Sequence, residues 1–138
     1  MVWQLLGGSH SNRVKLDRVI CKRILLVDDD EAARSSIKLL LSIDRHSVVE
    51  ARNGQEGLHV FTGDQFDLVI TDFFMPDMQG NELAFSIKNI APSQPILMIT
   101  AYHEKLGSDD KPVDAVLSKP FGIDELRGAI ATLLAESN

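Results

Sequence analysis

The feature that most constrains this chain is a set of five short apolar runs, each ending in polar residues and separated from the next by a segment of helical or turn character. Ile24-Leu25-Leu26-Val27 contains no polar residue, the mark of a strand buried on both faces rather than one. Ser47-Val48-Val49-Glu50-Ala51, Leu68-Val69-Ile70-Thr71, Ile96-Leu97-Met98-Ile99-Thr100 and Ala115-Val116-Leu117-Ser118 read as four further strands. After Asp28-Asp29-Asp30, Ala33, Ile37, Leu40 and Leu41 form one stripe at helical spacing, and an aspartate at its start can cap the exposed N–H groups. Residues 54–61 form a short helical segment. Residues 81–90 form another, with Leu83, Ala84, Ile87 and Ile90 on one face and Pro92 to stop it. The last helix is expected over residues 123–135, with Leu126, Ile130, Leu133 and Leu134 inward.

Strands alternating with helices demand an α/β architecture: a parallel, doubly wound sheet covered by helices on both faces through right-handed crossovers. At 138 residues there is room for one such domain and none for a multidomain enzyme. With 44% hydrophobic residues the chain is not disordered, and a single cysteine, Cys21, excludes an internal disulfide and fits a reducing, cytoplasmic setting. A net charge of −6 argues against direct nucleic-acid binding. No apolar run approaches the roughly 18 residues of a membrane span. Residues 1–22, with the breaker-rich Gly7-Gly8-Ser9-His10-Ser11-Asn12, read as an N-terminal extension outside a domain of residues 23–138.

In a doubly wound sheet the functional crevice lies beyond the carboxyl ends of the strands. The residues there are Asp28, Asp29 and Asp30 after the first run, Asp72 after the third, Thr100 at the end of the fourth and Lys119 after the fifth. Carboxylates converging in one cleft repel each other unless a cation joins them, and oxygen donors select a hard ion such as Mg2+. With a lysine and a hydroxyl beside them, such carboxylates suit phosphoryl transfer to an aspartate, and the isolated Asp72 is favoured as nucleophile over the acid triplet. Singly, each residue has a plainer explanation: an aspartate caps a helix, a threonine suits a strand, a lysine is solvated. Their placement at successive strand ends is what points to a site. The four histidines show no metal-binding spacing, and no glycine-rich phosphate loop is present.

Ile24-Leu25-Leu26-Val27-Asp28-Asp29-Asp30, the run from Val69 through Asp72 and Met75-Pro76 to Gly80, Ile99-Thr100-Ala101 and Ser118-Lys119-Pro120-Phe121 together resemble the receiver domain of two-component response regulators over residues 22–136. The resemblance implies a flavodoxin-like sheet of strand order 2-1-3-4-5. It also implies that Asp72 accepts a phosphoryl group from a sensor histidine kinase or histidine phosphotransfer protein. Asp28, Asp29, Asp72 and the backbone carbonyl of Phe74 are then the Mg2+ ligands, Thr100 and Lys119 engage the phosphoryl oxygens, and Lys119–Pro120 is a cis peptide. Such a domain is not an enzyme beyond its own phosphorylation and dephosphorylation.

Three departures from the pattern shape the expectations. Val116 stands where the family often has an aromatic ring that moves with the hydroxyl, and the stretch from Thr100 to Lys119 is short and rich in helix breakers. A short or irregular fourth helix follows, with pairing of two copies through that face expected to be weak at most. Phe74 and Tyr102 bring bulk rather than hydrogen bonds to the crevice rim, which predicts slow loss of the phosphoryl group. The alternatives are an interaction module that works without phosphate, a receiver fragment of a larger regulator or hybrid kinase, and a phosphatase of the haloacid dehalogenase type. The last is disfavoured because Asp28-Asp29-Asp30-Glu31-Ala32 lacks the Asp-x-Asp-x-Thr pattern.

Overall fold

The computed structural model describes residues 22–101 and 112–136. Along them run β1 (Arg23–Val27), α1 (Glu31–Ile43), β2 (Ser47–Ala51), α2 (Gly54–Thr62), β3 (Leu68–Asp72), α3 (Gly80–Ile90), β4 (Ile96–Thr100), β5 (Ala115–Ser118) and α4 (Ile123–Glu136). All five strands pair in parallel in the order β2-β1-β3-β4-β5, as the sequence pattern and the resemblance imply. Of the expected short fourth helix of residues 103–112 all but Pro112, together with Tyr102, Cys21 and the rest of residues 1–21, lie outside the described residues. Among those described, no helix is long and apolar enough to cross a membrane.

The sheet divides the interior into two apolar layers. On one face Ile24, Leu26, Leu68, Ile70, Leu97 and Ile99 meet Ile37 and Leu41 of α1 and Leu126, Ile130, Leu133 and Leu134 of α4. On the other, Leu25, Val27, Val69 and Ile96 meet Phe61 of α2 and Leu83, Ala84 and Ile87 of α3. Each of the largest of these side chains contributes about 1.5–3 kcal/mol by leaving water. The apolar runs of residues 24–27 in β1, 68–70 in β3 and 96–99 in β4 are the direct consequence of having both faces covered.

Burial on both faces does not extend to the sheet edges. β2 and β5 are only partly buried, because each has a paired neighbour on one side alone. Ile90, expected to face inward, is 55% exposed at the last turn of α3, beyond the reach of the layer that buries Leu83 and Ile87. The stripe on α1 is also narrower than the sequence implies. Ala33 and Leu40 lie at its margins, and a third position on its buried face is taken by Arg34.

Candidate functional site

The parallel strands bring Val27, Asp72, Thr100 and Ser118 to the same edge of the sheet, so the loops that follow β1, β3 and β5 converge there. One carboxylate oxygen from each of Asp28, Asp29 and Asp72 lies within 4.8 Å of the other two. The Lys119 ammonium reaches into this group, 3.4 Å from Asp72 Oδ1 and 3.7 Å from Asp28 Oδ2. Thr100 is fully buried at the end of β4, and its carbonyl accepts a hydrogen bond of 2.9 Å from the Lys119 backbone N–H. The Lys119–Pro120 peptide is cis. Asp28, Asp29, Asp72, Thr100 and Lys119 are therefore neighbours, as their positions at strand ends imply.

The three aspartates after β1 divide their work. Asp30 is the N-cap of α1 and accepts a 3.0 Å bond from the Ala32 N–H. Asp28 is almost wholly buried; its Oδ1 accepts from the Asp30 N–H at 3.0 Å, and its own N–H donates to the Ala51 carbonyl at 3.2 Å. Asp29 is exposed beside them. Capping and cluster formation thus coexist in one triplet, each on a different residue.

Asp72 is held by the loop that follows it. The Phe73 N–H continues the sheet pattern to the Ile99 carbonyl at 3.1 Å, and the Gly80 N–H returns to the Phe73 carbonyl at 2.8 Å. A Cβ on Gly80 would stand 2.1 Å from the Asp72 carbonyl oxygen, so only glycine lets the start of α3 close on the end of β3. Between them Asp77 adopts a positive φ of 69°, and the Met78 N–H bonds the Pro76 carbonyl at 2.8 Å in a tight turn. Phe74 is exposed, and its ring meets Phe73 edge to face at 4.6 Å between centroids.

Electrostatics mark the same place. Burial, reinforced by the neighbouring Asp28 carboxylate, pushes the Asp72 carboxyl from an ordinary 3.8 up to about 6, although Lys119 opposes the shift. Asp28 is raised too, chiefly by burial. Crowded carboxylates, with Asp28 and Asp72 held above their usual range, with oxygen the only ligand type and a lysine at the rim, form a donor set that fits a hard divalent cation such as Mg2+.

One contributor goes unnoticed in the sequence reading. The Arg34 guanidinium, on the buried face of α1, donates from Nη1 to the Asp28 carbonyl at 2.8 Å and from Nε to Glu50 at 3.0 Å. Its signal is present in the sequence: three residues before Ile37 and seven before Leu41, it is a charged residue on an apolar stripe.

Comparison with known proteins agrees with this arrangement. Residues 24–131 match the family described as response regulator receiver domain. Response regulator MprA of Mycolicibacterium vanbaalenii is 36% identical over 115 residues, which cover 81% of this chain and 50% of that protein; MprA of Mycobacterium avium gives the same figures. The chain thus spans about half the length of these curated relatives. Among solved structures, response regulator TrrA of Thermotoga maritima in complex with Mg2+-BeF superposes with a TM-score of 0.78 at 34% identity, covering 82% of this chain and 99% of that one. TrrA in complex with the histidine kinase ThkA gives 0.75 at 35% identity, with coverages of 82% and 98%. By fold, by motif and by extent of match, the chain belongs to the receiver domains of two-component response regulators.

Proposed function

We propose that Asp72 is the phosphoacceptor of a two-component phosphorelay and that Asp28, Asp29, Asp72 and the Phe74 carbonyl hold Mg2+. The observation that carries this reading is the convergence of the three carboxylates, each with an oxygen within 4.8 Å of the others, beside a lysine ammonium. Bound there, Mg2+ would supply positive charge to the carboxylates and to the oxygens of an incoming phosphoryl group. An Asp72 oxygen attacks phosphorus in line, the bond from phosphorus to the donor's imidazole nitrogen breaks, and the imidazole leaves. Lys119 balances charge on the transferred group, and Thr100 donates its hydroxyl hydrogen to a phosphoryl oxygen. The donor is a sensor histidine kinase or a histidine phosphotransfer protein in the cytoplasm. The complex of the related TrrA with the kinase ThkA supports such a partner.

The protein is not an enzyme in the sense of turning over a free substrate; the phosphorylated state alters the binding of a downstream protein. Incubation with acetyl phosphate and Mg2+ followed by intact mass measurement tests the reading. One added phosphoryl group, lost in Asp72→Asn and lost on chelation of Mg2+, is expected. Absence of any addition across pH and donor concentration would replace the reading with a phosphate-independent interaction module. Phe74 offers no hydrogen bond with which to orient a hydrolytic water, so Phe74→Asn is expected to shorten the lifetime of the phosphorylated form.

A further inference from the structure

Arg34 is out of place if the metal pocket is considered alone. A guanidinium close behind a pocket for a dication repels that cation, and an apolar residue would serve the buried stripe of α1 better. Its hydrogen bonds give it a purpose. Asp28 is fixed at three points: its N–H by the Ala51 carbonyl at 3.2 Å, its carboxylate by the Asp30 N–H at 3.0 Å, and its carbonyl by Arg34 Nη1 at 2.8 Å. That carbonyl belongs to the peptide joining Asp28 to Asp29. Holding it sets the plane from which the exposed Asp29 side chain departs, and Asp29 has no burial of its own to orient it. Glu50, on β2, accepts from Arg34 Nε at 3.0 Å and from Lys38 at 3.0 Å, so a carboxylate counters the guanidinium charge and holds its Nε while Nη1 is on the Asp28 carbonyl.

We propose that Arg34 is a positioning residue for the Mg2+ pocket, fixing the Asp28–Asp29 peptide, and that Glu50 orients Arg34 and screens its charge from the cation. The proposal rests on the Mg2+-dependent reading given above. Outer-shell partners of metal ligands typically change affinity by about 10–100-fold when removed. Arg34→Met keeps the apolar stem while deleting both hydrogen bonds, and it is expected to weaken Mg2+ binding by about tenfold by calorimetric titration of the full chain. Glu50→Gln, on a partly exposed strand position, is expected to weaken it several-fold with the guanidinium still present. Arg34→Lys restores part of the loss, since an ammonium lacks the fork that meets a carbonyl and a carboxylate together.

Leu41→Ala separates positioning from simple support of the helix. It removes a buried side chain from the same face of α1 without touching Asp28, so it is expected to lower the thermal midpoint in EDTA and leave Mg2+ affinity unchanged while folded. Phosphorylation by acetyl phosphate supplies a further readout. In Arg34→Met the Mg2+ concentration at half-maximal rate rises while the rate at saturating Mg2+ matches wild type. Wild-type Mg2+ affinity in folded Arg34→Met, or an equal loss in Leu41→Ala, overturns the positioning role alone. Failure of the unaltered protein to bind Mg2+ overturns the metal reading and the proposal together.

Discussion

Because burial and Asp28 hold the Asp72 carboxyl near pH 6, the folded chain binds a proton there more tightly than the unfolded chain, whose value is 3.8. The contribution of Asp72 to stability is therefore greatest below pH 3.8, declines as the pH rises to about 6, and stays at its lowest above that. At about 1.4 kcal/mol per pH unit the shift corresponds to roughly 3 kcal/mol lost at neutral pH in the metal-free protein. Asp72→Asn removes the charge and keeps the shape. It is expected to raise the urea midpoint of the metal-free protein at pH 7 by the equivalent of about 1–3 kcal/mol while abolishing phosphorylation. An unchanged or lower midpoint would show that Lys119 fully compensates the buried charge. Asp72 was legible in sequence because it stands singly after an apolar run; Arg34 was not, because helical periodicity sorts residues by polarity and a buried, hydrogen-bonded arginine looks like an error in the stripe. Its partners, the Asp28 carbonyl and Glu50, are brought to it only by the fold.

Among the elements, the central strands and most of the helical stripes could be read directly, since a two-sided cover leaves residues 24–27 of β1 and 96–99 of β4 without a polar side chain. The edges and ends could not. How far β2, β5 and the last turn of α3 protrude from the layers depends on strand order and crossover length, which no local pattern encodes. The junction of β3 with α3 is a tertiary constraint of the same kind, and it sets two helix glycines apart. Gly80 would place a Cβ against backbone, 2.1 Å from the Asp72 carbonyl oxygen, whereas a Cβ on Gly128 in α4 meets nothing within 4 Å. Gly128→Ala is expected to stabilise by about 0.5–1 kcal/mol through helix propensity. Gly80→Ala should destabilise by about 1–3 kcal/mol or more and also reduce phosphorylation, because the backbone that must yield carries Asp72. Denaturant melts of the two variants with acetyl phosphate labelling check both signs, and equal effects would remove the special status given to the Asp72–Gly80 contact.

At the scale of the whole molecule, titrations of opposite sign at the two ends of the sheet contribute to the pH dependence of stability. At the strand C-termini, Asp72 and Asp28 are raised, so the metal-free fold loses stability as the pH climbs from 3.8 toward about 6. At the other end the buried His46 accepts the Lys22 N–H at Nδ1, 3.2 Å away, and burial lowers its affinity for a proton below the ordinary 6.5. Its contribution is full above pH 6.5 and is lost as the pH falls through that value toward its lower folded-state value. His46→Gln, which retains an acceptor without a titration, should remove the loss that begins as the pH falls below 6.5 and leave in place the Asp72 contribution, which has the opposite sign and changes between 3.8 and about 6. Mg2+ acts only on the carboxylate contribution. Its ligands must be deprotonated, so metal binding competes with the protons that the raised carboxyls retain. The thermal midpoint should consequently rise on addition of millimolar Mg2+ at pH 7.5, rise much less at pH 5, and respond weakly at either pH in Asp72→Asn. Scanning fluorimetry of the two proteins with and without Mg2+ measures all of these. A Mg2+ response as large at pH 5 as at pH 7.5 would show that the cation binds away from the raised carboxyls, and one preserved in Asp72→Asn would remove the Asp72 carboxylate from its ligands.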